Sequence, residues 1–231
     1  MKLIKWLLVS FIWLALFSSI AVTWSLLNLP ETESIKISRQ PSITFLDKDG
    51  RIIASYGDVY GSSIQFKDLP ENLINAVIVT EDKRFFHHPG IDVKGVIRAA
   101  YTNFKQRRIV QGGSTITQQL AKNLFLTPER SFTRKLHELI LSFWLELRFS
   151  KEQILSIYLN RVYLGSGTYG VQAASEKYFN KKVEDLTLYE CAVIASLLKA
   201  PSRYNPIANF ELSKKRASIV LNNMVKDNMI S

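Results

Sequence analysis

The chain opens on an unbroken apolar run. From Trp6 to Leu29 no residue is charged, and Leu, Ile, Val, Phe, Ala and Trp dominate. About 20 apolar residues cross a bilayer as a helix, so the run predicts a transmembrane anchor within residues 1–30. Lys2 and Lys5 precede it, and Glu31 and Glu33 follow it. The positive-inside bias then places the N-terminus in the cytoplasm and the rest of the chain on the far side of the membrane. A cleaved signal peptide shares the basic start and apolar middle, but this run exceeds a signal core and no Ala-x-Ala site follows it.

Beyond the anchor the pattern changes twice. Over residues 31–66 we expect a linker and a β-hairpin. Ser42 to Asp47 and Arg51 to Tyr56 alternate weakly on either side of Lys48-Asp49-Gly50. From residue 67 to 231 the period is helical. Pro70 suits the first turn of a helix reaching Asp82, which puts Glu81 at its C-terminal end. Asp92 suits the N-cap of a helix reaching Phe104, with an apolar face of Val96, Ile97, Ala100, Tyr101 and Phe104. Lys105 to Gly113 reads as a mobile basic loop, either simply solvated or in contact with anionic headgroups.

Ser114 or Thr115 can cap the next helix, and Ser131 the long one after it. Ser150 with Gln153, and Thr187 with Glu190, match the capping box and mark two further helix starts. A last amphipathic helix covers roughly Leu212 to Lys226. These elements predict a mainly α-helical single domain carrying a small β-hairpin, after one membrane span.

Charge narrows the partners. Thirty basic residues against twenty acidic ones give a net +10 in 231 residues. Such an excess suits nucleic acid, anionic lipid or a phosphorylated substrate, and an exported, tethered domain meets only the last two. The single cysteine, Cys191, rules out an internal disulfide and sits in an apolar run as a packing residue.

The chemistry-bearing residues fall into three segments. The first is Glu81-Asp82-Lys83-Arg84-Phe85-Phe86-His87-His88-Pro89-Gly90. The second is Gly112-Gly113-Ser114-Thr115-Ile116-Thr117-Gln118-Gln119-Leu120-Ala121-Lys122-Asn123, a dense polar run without an obvious packing purpose. The third is Arg134-Lys135-Leu136-His137-Glu138. A carboxylate able to act as a base, beside cations and backbone amides, suits transfer of a group away from a phosphate leaving group. Read structurally, Glu81 is a helix-end carboxylate paired with Lys83 or Arg84, and Glu138 forms an ordinary surface pair with Arg134 four residues earlier. No His-Glu-x-x-His or Cys-rich spacing indicates a protein-built metal site.

These segments, with Ile154-Leu155-Ser156-Ile157-Tyr158-Leu159-Asn160 as a fourth, resemble the peptidoglycan glycosyltransferase family from about Leu69 to Pro206. The resemblance implies a lysozyme-like helical fold. It implies polymerisation of lipid II into β-1,4-linked glycan with inversion and release of polyprenyl pyrophosphate. Glu81 is then the catalytic base, and Glu138 a second catalytic carboxylate in a supporting electrostatic role. Asp82, Phe85, His88, Gly113, Ser114, Thr117, Gln118, Gln119 and Asn123 become substrate contacts, and Lys122, Arg130, Arg134 and Lys135 the cations for pyrophosphate. His88 is in this set as a motif residue with a structural bent. A divalent cation, Mg2+, is implied as a companion of the pyrophosphate. Expected partners are lipid II, the growing strand, the membrane and other cell-wall synthesis proteins, at the extracytoplasmic face of a bacterial inner membrane.

Ser196-Leu197-Leu198-Lys199 matches the Ser-x-x-Lys signature of penicillin-binding transpeptidases. It lies in an apolar helix without the companion triplets, and we read it as chance. The chain stops at Ser231, near where a transpeptidase domain begins in bifunctional members, so an N-terminal fragment of such a protein is one alternative. A lytic glycosidase and a non-catalytic scaffold that binds lipid II are the others.

Overall fold

The computed structural model describes residues 2–27, 43–46, 48, 52–56, 59–108, 111–126 and 131–231, with only part of the side chains before residue 57. Helix α1 covers Lys2–Leu27. Strands β1 (Ile43–Leu46) and β2 (Ile52–Tyr56) pair antiparallel, Ile43 opposite Tyr56, as the alternating pattern predicts. The expected linker over 31–42 lies outside the described residues. Taken over the described residues, no helix is long and apolar enough to cross a membrane. That statement covers only part of α1, whose side chains are incompletely described.

After a short strand β3 (Val59–Tyr60), α2 (Glu71–Glu81), α3 (Val93–Gln106), α4 (Ile116–Phe125), α5 (Phe132–Arg148) and α6 (Lys151–Arg161) follow in turn. Strand β4 (Thr168–Tyr169) then pairs parallel with β3. The chain ends in α7 (Val171–Phe179), α8 (Leu188–Leu197), the single turn α9 (Pro201–Tyr204) and α10 (Phe210–Lys226).

Local chemistry sets most of these starts. Asp92 accepts from the Gly95 N–H, and Ser131 from that of Arg134. Thr115 with Gln118, Ser150 with Gln153 and Thr187 with Glu190 each close a reciprocal capping box. Each cap is worth about 1 kcal/mol. Pro70 stands one residue earlier than expected, as the N-cap of α2.

Helix α8 has no polar face: every residue from Cys191 to Leu197 is buried. Such a helix belongs at the centre of a core, and α2, α7, α9 and α10 pack around it. Burial pushes the Cys191 thiol up to about 12, so it is an inert packing group. A second group forms where α4 packs against α5 and α6. Gly170 joins the two, with φ of 82° and a position where a Cβ would lie 2.8 Å from the Asn160 carbonyl oxygen. Only glycine fits there.

Several large apolar side chains stay uncovered. Along α3 only Gly95 and Ala99 are buried, while Val93, Ile97 and Tyr101 are exposed and Phe104 is 85% exposed. Phe132, which opens α5, is 91% exposed. Helical spacing detects an apolar face but not what covers it.

Candidate active site

The two helix groups meet where the C-terminal end of α2 faces the N-terminal end of α4. Asp82, the residue after α2, is the joint. Its buried carboxylate accepts from the His88 ring, whose Nε2 lies 3.0 Å from both oxygens, and from the Ile116 backbone N–H at 3.1 Å. Among the described residues His88 Nδ1 is buried and has no hydrogen-bond partner. That arrangement puts a proton on Nε2, between the ring and the Asp82 carboxylate. Thr115 adds a second tie, donating through Oγ1 to the Gly90 carbonyl at 2.6 Å. The first and second segments are thus stitched together before any ligand is considered.

Beside this joint lies a cavity of about 430 Å³. Glu81, Asp82, Lys83, Asp92, Arg98, Gly112, Gly113, Ser114, Gln119, Lys199 and Arg216 are among its walls. Glu81 is half-buried, and its Oε2 accepts from Gln119 Nε2 at 2.7 Å. Burial raises its pKa above the ordinary carboxylate value, and the Gln119 hydrogen bond, Arg216 and Lys199 oppose that rise. The ion pairs that would make Glu81 a mere helix-end charge go elsewhere. Lys83 pairs with Asp227 at 2.7 Å, and Arg84 pairs with Asp92. Glu81 is left as a carboxylate of raised basicity facing a polar, cation-lined space, which suits a general base.

The third segment supplies a neighbouring charge cluster. Glu138, only 4% exposed, pairs with Lys135 and lies 3.6 Å from Arg134 Nη1. Lys135 also donates to Ser114 Oγ at 3.1 Å, which carries the cluster to the cavity wall. Among the described residues Arg134 Nε is buried without a hydrogen-bond partner, a donor that an anionic oxygen would satisfy. Lys122 and Asn123 are exposed on α4. Arg130 lies outside the described residues.

Other expected contacts sit behind the wall. Phe85 is fully buried, with Lys151 Nζ 4.5 Å from its ring centroid. Thr117 is buried and donates to Glu146 at 2.6 Å, and Glu146 also pairs with Lys151. Gln118 is buried, its side-chain oxygen accepting from the Thr115 N–H in the capping box. These three support the wall and do not line the cavity.

Sequence reasoning missed Arg98 on α3, Lys199 after α8 and Arg216 on α10. Nothing in their spacing links them. The available signal was a lysine ending an otherwise apolar helix, and it was absorbed into the Ser-x-x-Lys match. In that match Ser196 is buried and donates back to the Val193 carbonyl at 2.7 Å, so it is no exposed nucleophile.

A family model described as Transglycosylase covers residues 49–225. The chain belongs to the transglycosylase family. "Penicillin-binding protein 1A" of Neisseria gonorrhoeae is 46% identical over 215 residues, which is 92% of this chain and 27% of that protein. The proteins of the same name from Aquifex aeolicus and Pseudomonas aeruginosa are 44% and 42% identical, over 88% and 86% of this chain. The chain spans only 28% and 24% of those two relatives. A crystal structure of Penicillin-Binding Protein 1A from Haemophilus influenzae aligns with a TM-score of 0.48 at 26% identity, over 84% of this chain and 20% of that one.

Proposed function

We propose that this chain is a peptidoglycan glycosyltransferase that polymerises lipid II, with Glu81 as its base. The observation that carries the reading is the Glu81 carboxylate, raised in basicity by burial and held by Gln119 at a cavity lined by Arg98, Lys199 and Arg216. The 4-hydroxyl of one lipid-linked disaccharide attacks the anomeric carbon of the growing strand. Glu81 takes the hydroxyl proton as the new C–O bond forms. The bond to the pyrophosphate oxygen breaks on the opposite side, so an α-linked donor gives a β-linked product.

Pyrophosphate is a good leaving group, and cations can stabilise it without a strong general acid. Arg134 and Lys135, oriented by Glu138, are assigned to that task together with Lys122 and Arg130. Ser114, Gly113, Gln119 and Asn123 are assigned to the sugar and phosphate oxygens. Asp82, His88, Phe85, Thr117 and Gln118 are assigned to holding the walls in place.

The described residues offer no protein cage for the Mg2+ that the family resemblance implies. Among the described residues no three His, Cys, Asp or Glu side chains converge on one point, and Glu138 is already flanked by two cations. The ion is assigned to the substrate's pyrophosphate, and no step above depends on a protein-bound metal.

We also place the domain at the outer face of the bacterial inner membrane, with α1 as a single-pass anchor. Its 26 residues give a length of about 39 Å, enough to cross a bilayer core. The exposed apolar residues of α3, followed along the chain by exposed Lys105, Arg107 and Arg108, are what a domain resting on anionic lipid presents. A lysozyme-like fold for the helical domain and contacts with other cell-wall synthesis proteins belong to the same reading.

The test is incubation of the detergent-solubilised chain with labelled lipid II and Mg2+, beside Glu81→Gln. A glycan ladder sensitive to muramidase, from the unsubstituted chain alone, is the expected result. Polymer from both proteins would remove Glu81 as base. Polymer from neither, with lipid II still bound, would point to a scaffold.

A further inference from the structure

Tyr158 stands on α6, fully buried, and cannot touch a substrate in the cavity. Its hydroxyl nevertheless donates to Gln119 Oε1 at 3.0 Å, and Gln119 Nε2 in turn donates to Glu81 Oε2 at 2.7 Å. A side-chain amide has an acceptor end and a donor end, and its partners decide which points where. We propose that Tyr158 is a positioning residue that, through Gln119, keeps an N–H donor aimed at the catalytic carboxylate of Glu81.

Polarity fixes which end of the Gln119 amide faces Glu81. With the phenol donating to Oε1, the amide can present only N–H to Glu81. With the amide turned over, its carbonyl oxygen would face a carboxylate oxygen, a contact tolerable only when Glu81 is protonated. Tyr158 therefore favours the ionised base and resists the turn when Glu81 takes up a proton. The phenol is a dependable donor, because burial, and secondarily the Glu81 charge, hold its pKa well above the ordinary tyrosine value. The other groups facing Glu81 are Asp82, Lys199 and Arg216. Lys83, Asp92 and Arg98 stand further along the same cavity wall. None of these meets the Gln119 carbonyl oxygen, so none duplicates the phenol's role.

The inference rests on Glu81 being the base, and the experiment separates the two. Lipid II polymerisation by the full chain is measured across pH for the unsubstituted protein, Tyr158→Phe, Gln119→Ala, the double variant and Glu81→Gln. Tyr158→Phe keeps the ring that fills the core and removes only the hydroxyl. Its acid limb is expected to move to higher pH by about half to one unit, the scale of one neutral hydrogen bond, with a roughly three- to tenfold loss on the acid side. The alkaline plateau is expected to stay. In the Gln119→Ala background, Tyr158→Phe is expected to add no further displacement.

A merely structural role would lower the plateau or the melting temperature and leave the limb where it was. An unmoved limb in Tyr158→Phe, or an equal displacement with and without Gln119, overturns the proposal. Should Glu81→Gln retain activity with its acid limb intact, the base assignment fails first, and this inference fails with it.

Discussion

Asp82→Asn separates a structural tie from a substrate contact. In the folded chain one carboxylate serves two buried donors, His88 Nε2 at 3.0 Å and the Ile116 N–H at 3.1 Å. Asparagine offers one carbonyl oxygen and one NH2, so one of those donors must face another donor. A buried donor left without an acceptor costs about 1–3 kcal/mol, and the remaining bond loses its charge assistance. Together these give about 2–4 kcal/mol. At roughly 2–4 °C per kcal/mol for a domain of this size, the melting temperature should fall by about 5–15 °C. Circular dichroism against temperature reads the fall, with polymerisation assayed well below the lower melting point. His88→Ala should be non-additive with Asp82→Asn, with a coupling of about 0.5–3 kcal/mol. An unshifted melting temperature with activity abolished would refute the tie and return Asp82 to the substrate.

Glu81→Gln tests the raised basicity of Glu81 thermodynamically. Because burial raises its folded pKa, Glu81 costs stability progressively as pH rises from the ordinary carboxylate range, and the cost is complete once pH passes the folded value. The variant should therefore melt higher than the unsubstituted chain at neutral pH, and the gap should close as pH falls below the ordinary carboxylate range. By the same sign, the acid limb of polymerisation should lie above that range, and a pH–rate profile checks it. Gly112→Ala should keep its melting temperature, since nothing lies within 4 Å of the added methyl. Because that methyl enters the cavity wall, it should raise the KM for lipid II. Lys122→Ala should slow polymerisation by on the order of a hundredfold, as when one preorganised electrostatic contact is lost. A normal rate would remove that residue from the assignment.

The parts legible in the sequence were the short-range ones. Asp92, Thr115, Ser131, Ser150 and Thr187 each cap a helix through a partner three residues on, so a window of four residues carried the information. Contacts between distant segments left no such trace. Tyr158 meets Gln119 across 39 positions, and Lys199, just after α8, and Arg216 on α10 act on Glu81 from segments whose spacing points nowhere in particular.

The polar run of the second segment shows why residue type alone misassigns roles. Gln118 and Gln119 are chemically identical and both look like ligand contacts. An α-helix turns about 100° per residue, so neighbours face different ways. Gln118 faces inward and closes the cap on Thr115, whereas Gln119 faces the cavity and holds Glu81. Thr117, another step round, turns into the support against Glu146. Buried polar groups must find partners, so a dense polar run at a helix start serves the fold and the ligand at once. Which residue serves which follows from the helix register, and that was readable only after Thr115, and not Ser114, proved to be the cap.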